Sequence, residues 1–246
     1  LALFGVISML FGVLGYSAFL LKLHYLTQTW YYMEMLVLCA IAFDGLLGAN
    51  WPALRPWGLL RIGFMVVMMS WFARSAWAEA HTRRSNVDQI AATLDQKAAA
   101  EDLIIIHTVW EGITFERYYH GQARWVTVPP VDSHKVHRTD LVLEQMNQPD
   151  AMAPVLREIT STLRSGNRVW LVGHVTVGQP ETMVPAGLPG KAWLGSYLFY
   201  WSAQVTTHLR NHALHEQVLE MPTAGPVSHL ENLPVTRFSG YKPDAD

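Results

Sequence analysis

The sequence predicts a chain in two parts: α-helical transmembrane segments over residues 1–80, then a soluble α/β sandwich with a partly parallel sheet over 81–246. Three observations predict this. Only seven charged side chains, Lys22, Glu34, Asp44, Arg55, Arg61, Arg74 and Glu79, fall in the first eighty residues, against eighteen basic and twenty acidic ones in the whole chain. Runs at about 1–21, 31–49 and 58–78 are apolar for roughly the 20 residues that a helix needs to cross hydrocarbon. Beyond residue 80, helical and strand patterns alternate, as they do in α/β domains.

The first run, Leu1 to Leu21, is uncharged. The second runs from Tyr31 to Gly48 or Asn50 and the third from Gly58 to Ala78. Each is expected to be helical, because unpaired backbone groups are too costly in lipid. The connections KLHYLTQTW and ANWPALRPW are short, and Pro52 and Pro56 in the second are expected to break any helix. No basic segment precedes the apolar start at Leu1, so a signal peptide is not expected, and the chain reads as part of a longer one.

Trp30, Tyr31 and Tyr32 fall where a span would meet water, a depth at which amphipathic rings are enriched, as do Trp51, Trp57, Trp71 and Trp77. Three crossings would place this cluster on the same side as residues 81–246. The balance of basic residues alone puts that side in the cytoplasm. Within the second run, Glu34 lies one turn from the interface and Asp44 lies deeper, where a carboxylate faces protein or a polar cavity, or is protonated.

In the second part, Ser85 or Asn86 is placed to cap a helix that carries Asp88 in its first turn and Val87, Ile90, Ala91 and Leu94 at helical spacing. Leu103–Ile106 is a continuous apolar run typical of a strand covered on both faces. A helix around 112–119 and an extended WVTVPP at 125–130 follow. Asp150 opens another helix through Val155, Leu156, Ile159 and Leu163, Gly166 stops it, and RVWLVGHV at 168–175 reads as a second buried strand. The segment 178–191 reads as a surface loop, 195–219 as a helix and Val235–Phe238 as a last strand.

A net charge of −2 carries no footprint for nucleic acid, and one cysteine, Cys39, excludes an intrachain disulfide. No GxSxG, GxGxxG or GxxxxGK[ST] motif is present. His208, His212 and His215 fall at i, i+4 and i+7, a spacing that can hold zinc on one helical face, although no cysteine pair or HExxH accompanies them. Asp132, His134, His137, Arg138 and Asp140 form a polar cluster after Pro129-Pro130, suited either to phosphate or sugar hydroxyls or to tying down a loop. Glu111, Glu116 and Asp140 are too scattered to pair by inspection.

Read together, Thr27-Gln-x-Trp-Tyr-Tyr, SNVDQIAATL, DLIIIHTVWEGITFERYYHG, WVTVPP, HKVHRTDL and TLRSGNRVWLVG resemble the C-terminal half of bacterial polytopic GT-C glycosyltransferases. These are the relatives of dolichyl-phosphate-mannose protein mannosyltransferase and of the aminoarabinose transferase. The likeness covers residues 20–175. It implies an integral-membrane enzyme of the bacterial inner membrane, with its α/β domain outside the cytoplasm. That enzyme would move a hexose or pentose from a polyprenyl-phosphate donor to a glycan, lipid or protein acceptor. It implies no cofactor, and a catalytic acid in a loop upstream of these residues. Gln28, Trp30, Tyr31, Tyr32, Glu34 and Arg138 become the substrate-binding candidates. Arg117, Tyr118, Tyr119, His137 and Asp140 become candidates for ordering loops or joining domains. An extracytoplasmic ligand-binding or sensor module without catalysis is the alternative reading.

Overall fold

A computed structural model describes residues 2–22, 37, 40, 51–176, 178, 180, 194–221, 225–228 and 231–243, with the backbone alone at 2–6, 51–61, 64 and 75. The chain divides into two compact units, Leu1–Trp77 and Ala78–Asp246.

In the first unit, α1 spans Ala2–Lys22 and α2 spans Trp51–Ala80. Among the described residues no helix is long and apolar enough to cross a membrane. This corrects the expectation of transmembrane helices, and with it the integral-membrane location and the extracytoplasmic placement of residues 81–246. The physical reason is clearest in α2. Between Arg61 and Arg74 only residues 62–73 are uncharged, about 18 Å of helical rise against about 30 Å of hydrocarbon. The expected span at 31–49 lies outside the described residues, apart from Val37 and Ala40. Pro52 and Pro56 do not break the helix: Pro52 stands in its first turn, where the N–H has no helical partner to lose, and Pro56 follows one turn later within the helix. Large apolar side chains, among them Phe11 on α1 and Trp71 on α2, are exposed.

The second unit is built on a five-stranded mixed sheet with helices on both faces. After α3 (Val87–Lys97) come β1 (Leu103–His107), α4 (Glu111–Tyr118), β2 (Arg124–Val128), α5 (Thr139–Met146), α6 (Ala153–Arg164) and β3 (Val169–Val172). Then α7 (Leu194–His212) runs directly into β4 (Ala213–Leu219), and β5 (Val235–Tyr241) closes the order. The strands lie as β2-β1-β3-β5-β4. The first three are parallel, whereas β5 is antiparallel to both β3 and β4.

Alternation along the central strands divides the core. Ile104, Ile106, Trp170 and Val172 pack with Val87, Ile90 and Leu94 of α3 and Phe115 of α4. Leu103, Ile105, Val169 and Leu171 pack with Val155, Ile159 and Leu163 of α6 and with Trp201, Val205 and Leu209 of α7. Central strands covered on both sides carry no polar positions, which is why β1 and β3 read as unbroken apolar runs.

Local signals are met in a different way at the start of α3. Asn86 makes no cap bond. Its buried amide instead ties the approach to β5, donating to Asn232 Oδ1 at 3.0 Å and Leu233 O at 2.9 Å and accepting from Leu233 N at 2.9 Å. Ser85 Oγ accepts from Val87 N at 3.2 Å.

Candidate functional site

The three parallel strands end together at one edge of the sheet. From β1 the chain passes to β2 on one side, and β3 then lies on the other, so the strand order reverses at β1. Open α/β sheets bind ligands outside the carboxyl ends of their strands at such a point. Here β1 ends at His107, followed by Thr108 at φ 115°, a strained conformation for a β-branched residue. β3 ends at Val172 and is followed by Gly173, φ 122°, whose missing side chain leaves room for His107: a Cβ there would lie 2.9 Å from His107 O.

His107 reaches Ser202 of α7 through Nε2. Ser202 Oγ donates its own proton to Leu198 O at 2.5 Å, so His107 Nε2–H is the donor to Ser202. Burial, with repulsion from His174, lowers the His107 pKa to about 4, leaving the ring neutral at physiological pH. Ser202 is only 4% exposed and its proton points away from the imidazole, so the pair ties α7 to the sheet and is no activated nucleophile. Nearby on the chain, burial and then the charge of Glu231 raise the Glu111 pKa.

Along the edge strand β2, a polar cleft of about 480 Å³ opens against α5 and α6. Trp125 and Thr127 of β2, Asp132 and His134 of the following loop, Gln145 of α5, and Gln148 and Asp150 of the turn before α6 line it. Its position follows from sheet order: among the described residues no strand pairs with the outer edge of β2, which faces the cleft. Thr127 Oγ1 donates to Pro129 O at 2.7 Å and therefore accepts from His134 Nε2–H at 3.1 Å, which fixes the tautomer. The His134 ring also rests against Trp125, with centroids 4.6 Å apart. Gly112 makes this possible, because a Cβ there would meet His134 Cδ2 at 2.5 Å. Burial lowers the His134 pKa, against the opposing charges of Glu116 and Asp132.

Chemically, the cleft offers an indole, two carboxamides and two carboxylates not engaged in any ion pair described. Its one arginine, Arg124, is bound to Glu158 at 3.0 Å. Carboxylates repel a phosphate, whereas amides and carboxylates beside an aromatic ring suit a neutral ligand rich in hydroxyls.

Of the cluster singled out from the sequence, Asp132 and His134 line this cleft, whereas the other described candidates serve structure. Gln28, Trp30, Tyr31, Tyr32 and Glu34 lie outside the described residues, as do Cys39 and Asp44. Arg138 grips Asp140 at 2.6–3.1 Å, Asp140 stands in the first turn of α5, and this contact lowers the carboxyl pKa to about 2. His137 meets the edge of Trp110 with centroids 5.6 Å apart. Arg117 lies 5.8 Å over the ring of exposed Tyr118. Tyr119 is a core residue, stacked on Phe115 at 4.8 Å and donating to Ala123 O at 3.3 Å.

The expected helix over 195–219 stops at His212, so His215 stands on β4 and the three histidines share no helical face. His208 donates to Thr160 Oγ1 at 2.7 Å, and His212 Nδ1–H donates to His208 O at 2.9 Å. Among the described residues no group of three His, Cys, Asp or Glu side chains is arranged to hold a metal.

Sequence reasoning missed Trp125, Gln145, Gln148 and Asp150. A signal existed: alternation in WVTVPP puts Trp125 and Thr127 on one face, and Gln145 and Gln148 are spaced by three. Comparison with known protein families, with curated proteins and with solved structures finds no match.

Proposed function

We propose that this chain is part of a sugar-transferring enzyme, and that the β2 cleft of its α/β unit holds a sugar. The cleft carries the reading: about 480 Å³ of polar space in which Trp125 offers a ring and Gln145, Gln148, Asp132 and Asp150 offer hydrogen-bonding groups. The resemblance to glycosyltransferases of phosphate-linked sugars supports the same class. A hexose or pentose would be held by several hydrogen bonds and one ring contact. Catalysis would then rest on positioning and on stabilising a departing phosphate, with the acid or base supplied by residues outside the described ones.

Saturation-transfer NMR on the whole chain with a panel of hexoses and pentoses tests this. Transfer to sugar protons, lost in Trp125→Ala and weakened about ten-fold in Gln148→Ala, is the expected result. No transfer to any sugar, or equal transfer in both variants, would contradict it. A binding module without catalysis is the second reading, favoured because His107 and His134 are already committed to Ser202 and Thr127. Assay of sugar transfer by the whole protein separates the two, since a pure binding module turns over no donor.

A further inference from the structure

A second cleft, of about 640 Å³, opens between the last residue of α3 and the β3–β5–β4 side of the sheet. It shares no lining residue with the β2 cleft. Strand register builds its floor. Trp170 of β3 is opposite Arg237 of β5, which is opposite Gln217 of β4, so these side chains form one row across one face. Lys97 and Arg168 complete the wall, with Glu220 as the one acidic side chain among its lining residues.

The cationic groups are held in place by the fold. Asp102, 3% exposed, accepts from Trp170 Nε1–H at 2.9 Å, from the backbone N–H groups of Ala99 and Arg168 at 2.9 Å, and from the Arg168 guanidinium at 2.8 Å. Burial would raise the Asp102 pKa, but these donors outweigh it and lower it overall, so the carboxylate stays ionised. Arg168 also donates through Nη2 to Lys97 O at 3.2 Å. Its Nε and Nη2 are thus engaged, leaving Nη1 for another acceptor. Arg237 donates to Gln217 Oε1 at 2.5 Å. Both guanidinium groups rest over the Trp170 ring, 5.2 and 5.9 Å from its centre, which fixes their planes. Two oriented forks and an exposed ammonium around a cavity match the charge and the several acceptor oxygens of a phosphate better than a single carboxylate does.

We propose that this cleft is an anion site for a small phosphate ester, bound by Lys97, Arg168 and Arg237. The β2 cleft has the opposite electrostatic character, so the two clefts bind different chemical groups, and this site stands whether or not the sugar reading holds.

Calorimetric titration of the whole chain with inorganic phosphate at low ionic strength tests the site. Saturable binding of one phosphate that weakens as salt is raised is the expected result. Lys97→Gln and Arg237→Gln should each weaken binding about ten-fold, as loss of one charge-assisted contact does. Arg157→Gln makes the same change in net charge on α6, against the other face of the sheet, and should leave binding unaltered. Lys97 is exposed, so its replacement leaves the core intact even if Arg237→Gln perturbs β5. Absence of saturable binding up to about 10 mM phosphate would overturn the proposal, and so would equal losses in Arg157→Gln and Lys97→Gln.

Discussion

At the scale of single residues, two positions determine how the sheet's carboxyl edge behaves, and neither stands out in the sequence. His107 is neutral because burial of its ring disfavours the charged form and His174 adds repulsion. Its folded pKa of about 4 lies below the ordinary 6.5, so protonation favours the unfolded chain. The stability this group protects is complete above pH 6.5 and declines as pH falls towards 4. The decline should be on the order of 2–3 kcal/mol, since a ten-fold change in proton affinity corresponds to about 1.4 kcal/mol. Urea unfolding at stepped pH should show it, and His107→Asn should flatten the profile over that window. Gly112 is the second case. Gly112→Ala should cost about 1–3 kcal/mol and expel His134 from Trp125, because the new methyl would sit 2.5 Å from the imidazole. Thermal melts measure the first effect, and the His134 ring resonances report the second.

At the scale of elements, legibility in the sequence follows burial. Leu103–Ile106 and Val169–Val172 announce themselves as covered strands, and Val155, Ile159 and Leu163 mark the buried stripe of α6. Ile159 is fully buried, so Ile159→Ala should destabilise the fold by about 3 kcal/mol in denaturant titration. The edge strands are less legible. Residues 213–219 read as the continuation of a helix but pair with β5 from Ala213↔Tyr241 to Leu219↔Val235. Five consecutive positions from Leu214 to Val218 are exposed, so no two-residue alternation betrays the strand, and its partner lies beyond a long connection. Sequence periodicity records what a segment buries, and an edge strand buries little. The same reason hides the β2 cleft: its polar groups come from a strand, two turns and a helix that meet only once the sheet has formed.

At the scale of the whole molecule, low charge density over residues 1–80 predicts membrane spans, whereas no described helix there is long and apolar enough to cross. Composition averaged over eighty residues conceals the break made by Arg61 and Arg74. Both buried clusters lie within residues 87–241, inside the second compact unit. A fragment of residues 78–246 should therefore fold alone, with a cooperative thermal transition and dispersed amide resonances; a spectrum collapsed to random-coil shifts would show that it needs the preceding residues. The account rests most heavily on the β2 cleft as a sugar site. Titrating ¹⁵N-labelled protein with the hexose or pentose that gives the strongest saturation transfer tests it most directly. The predicted result is saturable movement of the Trp125 indole N–H and the Gln145 and Gln148 side-chain amides, with the far edge of the sheet at β4 unmoved. Movement confined to other residues, or none at saturating sugar, would contradict it.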